Sequence, residues 1–189
     1  MITDIKICSD ASVLIGAAPI QSFDDGSIES EVASSIYTDT YENLLRYRPW
    51  TFAREYLTPA RINKTPTNGY KYCYQIPNTV INIEDIGGAR FKIVGKNELH
   101  TDIEEPRVYA ILKPSENDLP SDFLLALKYA LAAEMAVPVT ENTTKAQYYE
   151  QKLALQINRA ADNDLAQEPY EDMGWDSPLY DSHYGTFTG

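Results

Sequence analysis

The sequence predicts an α+β fold: a four-helix body, with two N-terminal and two C-terminal helices, an inserted small antiparallel β-meander and an extended C-terminal arm. Three observations carry that expectation. Apolar residues recur at spacings of three and four in four separate stretches, the signature of amphipathic helices. Between the second and third stretch the pattern changes to alternation and β-branched runs broken by Gly and Pro, which reads as short strands. After residue 165 neither pattern holds, and the last 24 residues carry acids and aromatics but no Lys or Arg. The organisation expected is one domain over 1–165, with helices in 3–56 and 121–165, a β-rich insertion at 57–113, and an arm at 166–189.

The first helix opens on Thr3-Asp4, a capping residue followed by an acid where the helix dipole favours one. Ile5, Cys8, Ser12 and Ile15 recur on one face, and Gly16 is its stop, with Pro19 beyond. Asp24-Asp25-Gly26-Ser27 reads as a turn and an N-cap. Its acids suit a helix start better than a cation site, and the spacing is not that of an EF-hand loop. The second helix is expected from Ser27 to Arg48, with Ile28, Val32, Ile36, Tyr37, Tyr41, Leu44 and Leu45 as its apolar stripe. It must stop at Pro49, which removes a hydrogen bond and clashes one turn back. Trp50 and Phe52 follow at once, two large aromatics at the corner between helix and sheet. Pro49, Trp50 and Phe52 are therefore the expected structural corner of the core.

Residues 57–69 have loop composition. Strands are expected at Lys71–Ile76, Val80–Ile86, Phe91–Val94, Leu99–Thr101 and Arg107–Leu112, with Gly87-Gly88 as a hairpin turn. Asn117–Ser121 starts the third helix, whose stripe is Phe123, Leu124, Leu127, Ala130, Leu131 and Met135. Val137-Pro138-Val139-Thr140 is expected to separate it from the fourth, which runs over 143–165 and spans about 33 Å at 1.5 Å per residue. There Ala146, Tyr149, Leu153, Ile157, Ala160 and Leu165 face inward, while Lys145, Gln147, Lys152, Gln156 and Arg159 face water.

Several function classes find no support in these residues. No phosphate-binding glycine motif, nucleophile elbow or metal-ligand spacing is present, and only two histidines, His100 and His183, exist. No catalytic, cofactor-binding or metal-binding residue is assigned. Cys8 and Cys73 are far apart, too few for a disulfide framework, and read as buried thiols. No apolar run is expected to match the ~20 residues of a membrane span, and the start of the chain lacks the basic and apolar segments of a signal peptide. The net charge of −12 repels nucleic acid on average, which disfavours a sequence-specific DNA binder and suits a surface that DNA passes without sticking.

One set of residues goes further. Gly16, then Pro19-Ile20-Gln21-Ser22-Phe23-Asp24-Asp25, Tyr37, and Leu44-Leu45-x-x-x-Pro49-Trp50-x-Phe52-Ala53 resembles the N-terminal half of the tail tubular protein A family. The resemblance continues through a Tyr-rich strand ending in Pro77, a hairpin, Leu99-x-Thr101-Asp102, Val108-Tyr109, and the alanine-rich run from Ala130 to Ala136. The family often has Arg just before its Leu-Ala pair, where this chain has Tyr129-Ala130.

Members of that family are head-to-tail adaptors of short-tailed, T7-like phages. The resemblance implies a structural virion protein without enzymatic activity, made in the host cytoplasm and placed at the head–tail junction. It implies a homo-oligomeric ring of about twelve copies between the portal protein and the tail nozzle (tail tubular protein B-like), through which DNA is ejected without sequence-specific or membrane contact. On that reading Tyr170, Trp175, Tyr180, Tyr184 and Phe187 of the acidic arm are the expected contacts to the portal or a neighbouring subunit. The alternatives are a tail-associated polysaccharide-degrading enzyme, which needs a buried carboxylate pair, and a monomeric adaptor module that binds a peptide on its helical face.

Overall fold

The computed structural model describes residues 1–167, so the five aromatic positions expected to form the arm's contacts lie outside the described residues. Four helices form the body: α1 (Asp4–Leu14), α2 (Ile28–Arg46), α3 (Ser121–Thr140) and α4 (Thr143–Leu165). Between α2 and α3 lie seven strands, β1 (Arg54–Leu57), β2 (Ala60–Ile62), β3 (Tyr72–Gln75), β4 (Val80–Asp85), β5 (Phe91–Val94), β6 (Glu98–Thr101) and β7 (Val108–Leu112). The α+β class is as expected, with two helices on each side of an all-antiparallel insertion.

The helix ends follow the capping chemistry. Thr3, Ser27 and Asn142 each accept a backbone N–H at the start of α1, α2 and α4. Gly16 takes the positive φ of 77° that stops α1. The carbonyls left free there are met from across the fold: Tyr149 Oη donates to Leu14 and Lys145 Nζ to Ile15. The end of α1 is thereby tied to the start of α4.

The third helix is longer than expected. It continues through Pro138 to Thr140 and ends on Glu141, held at φ 52°. Pro138 lies in the last turn, where its missing N–H costs one bond and the helix has little further to run. By length and composition α3 could cross a bilayer, contrary to the reading that no such run exists, although half of its apolar window is buried inside the body. Its buried residues include Phe123, Leu127, Leu131 and Met135, packed with α1, α2 and α4 in one hydrophobic cluster.

Two stripes shift. Ile28 and Leu165 are exposed, while Ser30 and Ala33 are buried in α2 and Gln156 and Asp164 in α4. Gln156, expected in water, donates to the Asp122 carbonyl oxygen at 3.1 Å, so its amide is satisfied within the protein.

The insertion is not a single meander. Sheet order is β1-β7-β4 in one sheet and β2-β3-β6-β5 in the other. Gly87 and Gly88, at φ 88° and 74°, do not join a hairpin. They carry the chain from β4 into the second sheet, and Asp85 caps both of their N–H groups at 2.9 Å. The next two strands, β5 and β6, pair with each other across a turn at Gly95 instead. The insertion also begins at Arg54 rather than residue 57, because β1 starts as soon as the aromatic corner ends. Two of its strands, β1 and β2, fall in or beside the stretch expected to be loop.

Strand β7 connects the two cores. Alternate residues on a strand face opposite ways. Val108 and Ala110 join Tyr74, Ile76, Ile86 and Leu99 in a cluster within the β lobe. Ile111 faces the other way and belongs to the helical cluster. Entry and exit strands are paired, with Arg54 opposite Ile111, so the lobe leaves and re-enters the body at one place.

The corner residue Trp50 is fully buried, its ring 5.1 Å from Phe123 at 81° and its indole N–H donating to the Leu44 carbonyl at 3.0 Å. Phe52 is partly buried against the same Phe123 ring at 5.0 Å, whereas Pro49 is exposed and contributes only the helix stop. The Asp164 carboxylate accepts from Thr51 N at 3.0 Å and from Thr51 Oγ1 at 2.5 Å, which fixes the turn that follows the tryptophan. Replacing Trp50 with Ala is expected to destabilise by roughly 3–5 kcal/mol, measured by urea unfolding. Asp164→Ala, which strands the Thr51 N–H, should cost about 1–3 kcal/mol in the same assay.

Candidate interaction surfaces

Sheet pairing places Tyr56 of β1 directly opposite Tyr109 of β7, and the rings stack at 4.6 Å and 29°. They are on the face of β7 that turns away from the β-lobe core. Arg107 lies over the Tyr56 ring at 5.1 Å and Arg54 over the Tyr109 ring at 5.8 Å. The result is an Arg–Tyr–Tyr–Arg row with Tyr56 60% exposed. Arg54 is further held by Glu84 at 3.1 Å, while Arg107 is exposed. Two more stacks, Arg61 over Tyr72 at 4.5 Å and Arg90 over Tyr70 at 5.2 Å, decorate the second sheet. Arg and aromatic residues of this kind dominate protein contact surfaces because each presents a large flat area with little conformational freedom to lose.

Charge is divided along the same boundary. Residues 54–113 hold nine Lys or Arg against seven Asp or Glu. The remaining chain holds seven Lys or Arg against twenty-one acids. The net charge of −12 therefore belongs to the helical body and the C-terminal segment, and the β lobe is mildly positive.

An apolar cleft of about 360 Å³ lies in the helical body between α2, α3 and α4, lined among others by Leu44, Tyr47, Leu153 and Ile157. Glu134 and Glu150 stand beside it, and Thr40 Oγ1 donates to Glu134 at 2.9 Å. Asp25, within the acidic turn before α2, accepts from Gln21 N and from Ser27 N and Oγ. The Ser27 hydrogen bonds hold its carboxyl well below the usual range, as a capping acid should be.

One polar cluster was not visible in the sequence. Cys73 on β3 lies directly opposite His100 on β6, and Glu98 is two residues along β6 on the same face. Cys73 and His100 are buried. The loop from residue 63 to 71 covers them: Lys64 Nζ donates to both Glu98 oxygens at 2.9 and 3.0 Å, and Asn68 Oδ1 is 3.2 Å from His100 Nδ1. Neither cysteine has a histidine near it in sequence, and only the strand register brings Cys73 and His100 together. A Cys, His and Asn in one place suggest a thiol nucleophile, but the chemistry runs the other way. Burial and then the Glu98 charge push the Cys73 thiol up, which keeps it protonated, and no solvent reaches it. Among the described residues, every carboxyl with a resolved shift is held below its ordinary value, none above it as a general acid requires.

Compared with models of known protein families and with curated proteins, the sequence matches none. The resemblance to the tail tubular protein A family therefore rests on the residues quoted above. Because Arg61 and Arg107 are exposed and bear no buried contact, Arg61→Glu with Arg107→Glu should move Tm by no more than about 2 °C, as followed by circular dichroism.

Proposed function

We propose that this chain is a structural virion subunit, a head-to-tail adaptor that closes into a ring between portal and tail nozzle and continues the DNA channel. The observation that carries the reading, beyond the Pro49-Trp50-x-Phe52-Ala53 resemblance, is the division of charge between the lobe and the body. A ring is built from heterologous contacts, in which one surface of a subunit meets a different surface of the next. A mildly basic lobe with exposed Arg–Tyr stacks and a strongly acidic helical body are two such surfaces. They attract each other and repel their own kind, which favours the head-to-tail arrangement over a two-fold dimer. Repetition around the ring turns a modest contact into a tight one. The acidic surface left facing the channel keeps DNA from adhering as it passes.

The side-chain contacts of the lobe support reading it first as a contact surface. The lobe's polar surface is occupied by ion pairs and stacks such as Arg61–Glu104, Lys64–Glu98 and Arg90–Asp102, with side chains engaged to one another.

Electron microscopy of the protein mixed with portal rings tests the proposal, and closed rings coaxial with the portal are the expected image. Protein that stays monomeric by light scattering, alone and with portal, overturns it. The Arg61→Glu, Arg107→Glu protein should be folded yet assemble at least about tenfold more weakly, with wild-type assembly itself weakening as salt rises. Removing 168–189 leaves every residue of both hydrophobic clusters in place, so the shortened protein should fold with an unchanged unfolding midpoint. It should fail to co-sediment with portal, and normal docking would show that the acidic aromatic segment is not the portal contact.

A further inference from the structure

We propose that Cys73, Glu98 and His100 form a binding site for a single zinc-like divalent ion, which competes with the Lys64 ammonium for the Glu98 carboxylate. The three ligand atoms, one from each side chain, all lie within 4.8 Å of one another. Glu98 Oε2 is 3.2 Å from His100 Nε2 and 3.7 Å from Cys73 Sγ. Metal–ligand bonds of about 2.0–2.3 Å place neighbouring ligands of a tetrahedral zinc about 3.3–3.7 Å apart. Both separations are therefore close to two edges of such a site, and the third, between sulfur and imidazole, lies within 4.8 Å.

The histidine provides a second, independent indication. Its Nδ1 faces Asn68 Oδ1 and its Nε2 faces Glu98 Oε2, both at 3.2 Å. A neutral imidazole has one N–H and can donate to only one of two acceptors. If Nδ1–H donates to Asn68, the Nε2 lone pair points at Glu98 and Cys73 with nothing positive between them. This is the arrangement of a metal-bound histidine, whose outer nitrogen is held by an oxygen acceptor.

Lys64 supplies the positive charge the carboxylate now has. Its side chain is 52% exposed, so it can withdraw into water. Glu98, 30% exposed, opens the path by which an ion enters. The mixed S, O and N ligand set fits zinc or another borderline-soft ion and does not fit calcium or magnesium, which take oxygen. On binding, the Cys73 S–H bond breaks and the proton leaves to solvent, Sγ–metal, Oε2–metal and Nε2–metal bonds form, and water takes the fourth position. The ion would clamp β3 to β6 beneath the 63–71 loop. It has no oxidant or reductant to supply and calls for none. The site does not depend on the adaptor reading.

The test uses the full chain with Zn²⁺ alone, followed by calorimetry, and with Co²⁺, followed by its visible spectrum. One ion per chain, a thiolate-to-cobalt charge-transfer band and a raised Tm are expected. Glu98→Gln, at a partly exposed position, should weaken binding at least tenfold while remaining folded. Cys73→Ser should abolish the charge-transfer band. Cys8, buried in α1 with its thiol pushed up to about 12 mainly by burial, should not contribute, so Cys8→Ser should bind as the parent does. Lys64→Ala removes the competitor and should tighten binding several-fold, an effect no adventitious surface site would show. The proposal is overturned if the folded parent takes up no stoichiometric Zn²⁺, if the cobalt spectrum lacks the thiolate band, or if Lys64→Ala binds no more tightly than the parent. Any of these results leaves Lys64, Glu98 and His100 as an ion-pair network only.

Discussion

The fold depends on a single indole. Trp50 is inserted edge-on against Phe123 at the first turn of α3, bonded through its N–H to the last turn of α2, and followed by a threonine held by Asp164 at the end of α4. Residues of three helices, Leu44, Phe123 and Asp164, are thereby fixed to one two-residue segment. The same segment launches the β lobe, since β1 begins at Arg54 and pairs with β7 on its return. An aromatic cluster of this size carries more free energy than any ion pair on the surface, where exposed pairs contribute little. The orientation of the lobe relative to the body is therefore set by packing at the corner, and charge acts only on what the two surfaces meet.

Much of this was legible in the sequence, for local reasons. Helix ends were readable because Thr3, Ser27 and Asn142 have the short polar side chains that satisfy free N–H groups, and Gly16 alone there accepts a positive φ. Five strands were readable because alternation and β-branched runs survive in stretches of four to six residues. What failed depended on long-range contact. Strands β1 and β2 are four and three residues long and carry charge, so nothing in their sequence separates them from loop. Gly87-Gly88 has the conformational freedom of a hairpin, but pairing is decided by partner strands elsewhere, and β4 found β7. Pro138 reads as a stop, yet a last turn loses only one bond to it. Gln156, expected in water, is buried with Asp164 because particular partners, the Asp122 carbonyl and Thr51, await them.

The candidate surfaces divide in the same way. That the chain is acidic is evident from composition, but that the excess of acid lies outside 54–113, leaving a lobe of the opposite sign, is evident only once the lobe's bounds are known. The Tyr56–Tyr109 stack and the Cys73–His100 pair are both products of strand register, which a one-residue slip would abolish by turning one partner of each to the opposite face. Register is the information that local pattern lacks, and here it creates both the exposed aromatic row and the buried ligand cluster.

The two products of register act on different faces of the lobe, and this bears on how a ring subunit would work. On the adaptor reading, the Arg–Tyr row must stay exposed until a neighbour covers it, so its geometry has to be held without the neighbour's help. Stacking of each tyrosine on an arginine does that locally: the guanidinium is kept flat on the ring instead of sampling water, and less side-chain entropy is lost on contact. The second sheet has a different requirement. Its four strands span only three to four residues each, and a sheet that short is weakly held by its ladder alone. The Lys64–Glu98–His100 network under the covering loop, with Cys73 of β3 against Glu98, joins the middle two strands to that loop. A lobe built this way can present a rigid contact face while contributing little apolar area of its own, because its rigidity comes from the Trp50 corner at one end and a polar clamp at the other.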